Sequence, residues 1–196
     1  TVLTPALVRM EYAPGGKFED RASFAFVNRR LPVPKFRVDR AKGQLYIVTS
    51  KFTVRYKEKS GAFNGLNLSI SVDVSGNAHE WRPGTKDEGN LGGTTRTLDG
   101  VNGATPLEPG ILSRDGWAVV DDSKRYLLNP KTGWMTSRAA ADIQDLYFFG
   151  HGHDYKAALG DFTKIAGKTP LPPRYAFGSW WSRYWAYSEK ELRDLV

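Results

Sequence analysis

The stretch Asp145–Pro173, DLYFFGHGHDYKAALGDFTKIAGKTPLPP, changes its hydrophobic period part-way along, and that change decides how the chain is organised. Asp145-Leu146-Tyr147-Phe148-Phe149 has the texture of a strand. From His153 the period becomes 3.6, with Tyr155, Ala158, Leu159 and Phe162 at i, i+3, i+4 and i+7, which predicts a helix. Asp154 is placed to cap its start and Gly167 to stop it. Thr169-Pro170-Leu171-Pro172-Pro173 cannot continue a helix and is stiff and extended, which makes it the domain boundary.

Upstream the period is two. Val8, Met10 and Tyr12 alternate with Arg9 and Glu11, and Phe36 and Val38 with Lys35 and Arg37. Phe52, Val54 and Tyr56 alternate with Thr53, Arg55 and Lys57, and Leu68, Ile70 and Val72 with Ser69, Ser71 and Asp73. Each strand is expected to turn one face inward and leave its charged face to solvent. Leu45–Val48 is a compact run rich in β-branched residues. With punctuation at Pro14-Gly15-Gly16, Lys42-Gly43 and Asn64-Gly65, the pattern predicts an antiparallel β-sandwich, a mainly β fold. No internal repeat or low-complexity tract is visible.

Between Pro83 and Pro109 the alternation stops. Six glycines (Gly84, Gly89, Gly92, Gly93, Gly100 and Gly103) mark a long loop of the kind that is functional or disordered. Strand texture resumes at Trp117–Val120 and Arg125–Leu128, so the sandwich is expected to close after the loop. Beyond the prolines, Tyr175-Ala176-Phe177-Gly178-Ser179-Trp180-Trp181 is apolar without alternation, the pattern of a strand buried on both faces of a parallel sheet. Ser188 and Glu191 form a capping box, and Leu192 and Leu195 begin an apolar helical face. One strand and one helix cannot cover both faces of that strand, so these residues are expected to open a larger domain, the chain being a piece of a longer protein.

Composition removes other classes. The 196 residues suffice for one domain, or one and part of another, and 40% hydrophobic with 25% charged residues is ordinary for a globular protein. No apolar run approaches the ~18 residues of a membrane-spanning helix. There is no Cys, which excludes disulfides, thiolate nucleophiles and Cys-based zinc sites. His151 and His153, with only His79 besides, offer too few partners for a metal site. The net charge of +7 is scattered among acidic neighbours, with no nucleic-acid-binding motif, so neither nucleic acid nor membrane is expected as a partner. No Gly-x-Ser-x-Gly elbow or phosphate-cradling loop occurs. The start Thr1-Val2-Leu3-Thr4 carries no targeting pattern, and the compartment stays open.

Several passages carry a resemblance to a known family. They are Gly150-His151-Gly152-His153-Asp154-Tyr155 with the helix to Gly167, then Thr169-Pro170-Leu171-Pro172-Pro173-Arg174-Tyr175-Ala176-Phe177-Gly178 with Ser182-Arg183-Tyr184-Trp185. Upstream, Asn90–Gly100 and Leu107–Trp117 add to them. Together they resemble the entry to the catalytic barrel of glycoside hydrolase family 31, which contains α-glucosidases and α-xylosidases, and the N-terminal sandwich whose loop enters the active site. The likeness is densest from Glu88 to Val196. It implies a sandwich over 1–150, a linking helix and Pro-rich linker over 151–173, and the start of a TIM barrel over 174–196. It further implies hydrolysis of α-linked oligosaccharides with retention. An Asp nucleophile attacks the anomeric carbon, and an Asp acid/base ~5 to 5.5 Å away protonates the leaving oxygen and then activates water. The family carries both on later barrel strands, so these 196 residues alone are expected to be inactive. No cofactor is implied.

By the same resemblance Tyr184 lines the subsite of the reacting sugar, with Arg183 and Trp185 as neighbours, in keeping with active residues at the C-terminal ends of barrel strands. For Arg183 and Trp185, an ion pair and aromatic packing are equally open. Asp99 stands where the family supplies an acidic residue that accepts hydrogen bonds from sugar hydroxyls; the other reading is an Asp-Gly turn. Asp115 has the same two readings. Trp117 could stack on a sugar, but its place at the head of an apolar strand favours the core. The rival to a glycosidase is a non-catalytic carbohydrate-binding or structural sandwich. Exposed Phe177, Trp180 and Trp181 would make an apolar patch, so self-association into a homo-oligomer is expected of the chain alone.

Overall fold

The computed structural model describes residues 1–95, 97–138, 142–179 and 185–195. β1 (Val2–Thr4) and β2 (Leu7–Tyr12) open the chain, and β3 (Arg37–Ala41), β4 (Gln44–Val48), β5 (Phe52–Lys57), β6 (Leu68–Val74) and β7 (Asn77–Trp81) follow as an antiparallel meander of five neighbouring strands. Lys42-Gly43 and Ser75-Gly76 make the tight turns, both residues of each at positive φ, as two-residue hairpins require. After the long loop come β8 (Ala118–Asp121), the two-residue β9 (Leu127–Leu128) and β10 (Met135–Thr136), and β11 (Gln144–Phe149). β11 inserts between β2 and β8, giving a second antiparallel sheet in the order β1-β2-β11-β8. The sandwich therefore closes after the loop, as the sequence predicts. The Arg125–Leu128 run contributes only β9, which pairs with β10 outside both main sheets.

The two sheets enclose one core, with Val8, Met10 and Phe148 from the second sheet against Phe52, Val54, Ile70 and Val72 from the meander. The outer face of the second sheet is covered as well. Leu7, Tyr147 and Phe149 pack against Phe26 and against Ile165 of α1 (Tyr155–Ala166). The helix begins and ends where the sequence predicts, capped by Asp154 on the Ala157 N–H at 3.1 Å and followed by Gly167. Its buried face is turned from the predicted one: Ala158, Asp161 and Ile165 point inward, whereas Leu159 is 47% exposed. Asp161 explains the rotation. Its carboxylate accepts from Thr4 Oγ1 (2.5 Å) and Lys164 Nζ (2.7 Å) and meets His151 Nε2 at 3.0 Å, tying the helix to β1.

A second departure concerns the charged face of β2. Arg9, expected on a solvent face, is buried together with Asp145 of β11, because the segment from Glu19 to Arg29 crosses that face. Asp145 accepts from Arg9 (2.8 and 3.0 Å), Arg29 (2.6 Å) and Arg138 (3.0 Å). Arg29 and Arg138 also bind Asp122, at 2.5 and 2.7 Å, and Arg9 binds Glu11 at 2.7 Å. Three guanidinium groups thus meet three carboxylates, the condition under which charges tolerate burial. Burial alone would raise the Asp145 carboxyl, but the Arg9 bond and the charges of Arg9 and Arg29 outweigh it, and its pKa lies below the ordinary value. At Asp122 burial prevails over Arg29 and Ser23, and the pKa is raised.

The stretch expected to form a buried strand at Tyr175–Trp181 does not do so over its described residues. Arg174–Phe177 is a short 3₁₀ turn, with Tyr175 73% and Phe177 76% exposed, while Trp180 and Trp181 lie outside the described residues. A strand buried on both faces needs a partner strand at its edges, and no described strand pairs with this stretch. The predicted capping box is present: Ser188 starts α2 (Glu189–Asp194), accepting from the Glu191 N–H at 3.3 Å.

Asp145→Asn removes the charge that three arginines share and is expected to cost about 3–5 kcal/mol in urea denaturation at neutral pH. Its acid limb should change too. A carboxyl with a depressed folded-state pKa contributes stability above its unfolded value of about 3.9 and loses it as pH falls through the folded value. Asp122, displaced upward, offsets part of this. The variant should therefore lose stability less steeply than the parent below about pH 4, and an equally stable variant at neutral pH would remove the network from the account.

Candidate functional site

The chain between β7 and β8 folds back on itself. Arg114 N–H donates to Gly89 O (2.8 Å), Leu91 N–H to Leu112 O (2.9 Å), Gly93 N–H to Glu108 O (2.7 Å) and Glu108 N–H to Thr94 O (3.0 Å). With an Asn90–Ser113 bridge these bonds make an irregular antiparallel ribbon. Much of the predicted loop is therefore ordered, though not as regular strand.

Side chains supply what the glycine-rich arms lack. The Asn90 carboxamide oxygen accepts from Gly92 N–H (2.9 Å) and Gly110 N–H (2.8 Å), and its nitrogen donates to Asp87 (2.6 Å) and Gly110 O (3.0 Å). That uses the full capacity of the amide, two donors and two acceptor sites. Asp87 also accepts from the Ser113 hydroxyl at 2.5 Å. At Gly110 the arms come so close that an added Cβ would lie 2.5 Å from Gly92 O. None of these three side chains was singled out from sequence. The available signal was an Asn among Gly89, Gly92 and Gly93, a residue type that bonds nearby backbone where no regular ladder competes.

The structure puts the candidate residues in different places. Asp115 is at the ribbon's base, half-buried, accepting from Gly89 N–H at 3.1 Å and donating its own N–H to Ser113 Oγ at 3.0 Å, with Gly116 next at φ 78°. The Asp-Gly turn is realised there, and its carboxylate ties the two arms together. Asp99 is at the tip, beyond the Thr94–Glu108 rung. It too lies in a turn, closed by Val101 N–H to Leu98 O at 3.1 Å, but its carboxylate is exposed and has no hydrogen bond or ion pair with any described residue. Trp185 is 56% exposed, on the approach to α2. Arg183 and Tyr184 lie outside the described residues. Trp117 is 6% exposed and packs on Trp81 and Phe148, so it belongs to the core.

A cleft of 380 Å³ opens where the ribbon leaves the sandwich, lined by Trp81, Asp87, Asn90, Asp121 and Gln144 among others. Its polar side chains are already engaged: Asp87 and Asn90 in the ribbon, Asp121 with Ser123, and Gln144 with the Phe63 backbone at 2.5 and 3.0 Å. The buried carboxylates Asp122 and Asp145 are likewise saturated by arginines. Of the two sequence-predicted aspartates, Asp115 is engaged by Gly89 N–H, whereas the Asp99 carboxylate has no hydrogen bond or ion pair with any described residue.

No family model matches the sequence, and no curated protein does. Among solved structures, the fold is shared with chains of a glycoside hydrolase family 31 dextranase from Flavobacterium johnsoniae. A variant of it complexed with isomaltotriose superposes with a TM-score of 0.50 at 19% identity, over 89% of this chain and 26% of its own. A second structure, complexed with glucose, gives a TM-score of 0.50 at 18% identity over the same shares, 89% and 26%. The chain thus spans about a quarter of the length of the structures it matches. At this identity the likeness establishes a common fold.

Asn90→Ala removes the side chain that joins both arms of the ribbon. Amide exchange at Gly92 and Gly110 is expected to speed up at least roughly tenfold, while core amides such as Val72 and Phe148 keep their rates. Unchanged exchange at Gly92 would mean that the backbone rungs suffice.

Proposed function

We propose that this chain is the sandwich-bearing part of a retaining α-glycosidase of the family 31 type, acting on α-linked oligosaccharides, with the Gly89–Arg114 ribbon contributing to the sugar site. The observation that carries the reading is Asp99: an exposed carboxylate without a partner among the described residues, at the tip of a ribbon whose base is fixed by Asn90, Asp87 and Asp115. The fold shared with a family 31 dextranase supports it. So does the run from Leu171 to Trp185, where Leu171, Tyr175, Phe177 and Trp185 are all more than half exposed, as suits residues that a further domain covers.

In this reading residues 1–150 are the sandwich, 151–173 the link, and 174–196 the opening of a TIM barrel, whose later strands carry the Asp nucleophile and the Asp acid/base. The barrel carboxylates perform the double displacement, about 5 to 5.5 Å apart. The part of the sandwich is to bind: Asp99 accepts hydrogen bonds from sugar hydroxyls, and a site built to do so rejects ligands that lack them. Tyr184 lines the same subsite from the barrel side, with Arg183 and Trp185 beside it. Asp115 acts on the sugar only through the ribbon it braces.

The test is made in the protein that carries the barrel. Asp99→Ala there is expected to lower kcat/KM by about 10- to 100-fold, the value of about 1.5–3 kcal/mol for a hydrogen bond to a charged group, with Tm unchanged because the side chain supports nothing. Tyr184→Ala should lose turnover as well. The 196-residue chain alone should neither hydrolyse nor bind isomaltotriose in a calorimetric titration. Tight binding by that chain would instead favour the carbohydrate-binding module, and unaltered turnover of Asp99→Ala would remove the ribbon from the site.

A further inference from the structure

The sequence has two Asn-Gly pairs, Asn64-Gly65 and Asn102-Gly103, and the fold treats them in opposite ways. An asparagine before glycine readily closes a ring on itself, because a following residue without Cβ leaves its backbone nitrogen free to approach the asparagine side-chain carbon. In a folded protein the reaction depends on what holds those two groups apart. Both asparagines are exposed, so exposure does not separate them.

Hydrogen bonds do. The Asn64 side-chain oxygen accepts from Leu66 N–H at 2.9 Å and its nitrogen donates to Ala62 O at 3.2 Å, which fixes the side-chain rotamer. The Asn64 carbonyl accepts from Asn67 N–H at 3.2 Å and Leu68 N–H at 3.1 Å, and its own N–H donates to Asn67 Oδ1 at 2.8 Å, which fixes the peptide plane that carries the Gly65 nitrogen. Ring closure must turn both, and both are tied. Asn102-Gly103 lies beyond the Thr94–Glu108 rung, and neither residue has a hydrogen bond with any described residue. The preceding bond along the chain, Val101 N–H to Leu98 O at 3.1 Å, closes the turn before them. Around Gly103, at φ 94°, a built Cβ would meet no atom within 4 Å, so there is room for the ring and for water.

We propose that Asn102-Gly103 is a site of spontaneous covalent modification in the folded protein, where Asn102 converts to aspartate and isoaspartate while Asn64 persists. The Gly103 backbone nitrogen gives up its proton to hydroxide and attacks Asn102 Cγ; the bond from Cγ to the side-chain nitrogen breaks, and that nitrogen leaves as ammonia with a proton from water. Water then opens the cyclic imide. Cleavage at Cγ gives aspartate, and cleavage at the backbone carbonyl gives isoaspartate, with one water consumed and one ammonia released overall. Either product adds a carboxylate three positions from Asp99, and isoaspartate also lengthens the main chain by a methylene, so the tip gains charge and changes shape. In the glycosidase reading this alters the sugar-facing end of the ribbon, but the modification itself does not rest on that reading.

The test incubates the chain in mildly alkaline buffer, folded and in guanidinium chloride, and follows the tryptic peptides Thr97–Arg114 and Ser60–Lys86 by mass and fragmentation. In the folded chain Asn102 is expected to gain about 1 Da at least roughly tenfold faster than Asn64, and in denaturant Asn64 should speed up until the two rates agree within about threefold. Asn102→Gln should abolish the mass gain in Thr97–Arg114. Equal rates at the two sites in the folded chain overturn the proposal, as does a mass gain that survives Asn102→Gln. An Asn64 that stays as slow in denaturant removes the fold as the cause of the difference and overturns it too.

Discussion

Asp145 is wholly removed from water and yet ionised, and it is stable there because Arg9, Arg29 and Arg138 all donate to it. Those partners come from β2, from the segment that crosses the sheet, and from the approach to β11, separated from Asp145 by 136, 116 and 7 positions. The network therefore does more than neutralise charge. A one-residue slip of β11 would carry Asp145 into the apolar core and Phe148 out of it, and would deprive three buried guanidiniums of the carboxylate they share. Register between β2 and β11, the two central strands of that sheet, is thus enforced from both faces. Because the contacts are long-range, the loop-closure cost of this arrangement is met late, and folding is expected to be slow for a chain of this size.

Strands of one alternating period were legible because their burial is one-sided or their turns are distinctive: β5 and β6 alternate as read, Lys42-Gly43 closes β3 on β4, and Asp154 and Gly167 bound the helix. β7 was not legible, since Asn77–Glu80 are exposed edge residues and only Trp81 is buried. The charged face of β2 was misread for a related reason. Alternation reports that two faces differ, not that one of them meets water, and only the tertiary partners Asp122, Arg29 and Arg138 reveal the covering layer. The apolar run after the prolines looked like a buried strand, but a run of that kind takes its conformation from neighbours, and no described strand supplies them. Of the candidate site, the loop was visible as a break in periodicity and Asp99 only through the family resemblance, whereas the Asn90 bracing depends on contacts across 20 positions that spacing does not encode.

The ribbon inherits its position from the core. One arm leaves from Trp81 at the end of β7 and the other returns through Trp117 into β8, so it bridges an edge of each sheet. Both indoles are buried and both lie against Phe148, with ring centroids 5.4 and 6.4 Å away, on the strand whose register the Asp145 network enforces. A chain of constraint therefore runs from the buried ion pairs through Phe148 to the two tryptophans, then through Asp115, Asp87 and Asn90 along the ribbon. It stops at the Thr94–Glu108 rung, short of Asp99. A carboxylate on a stalk braced in this way, without a partner among the described residues, is what the proposed sugar-binding role of Asp99 asks of the ribbon, since bracing lowers the ordering cost of binding.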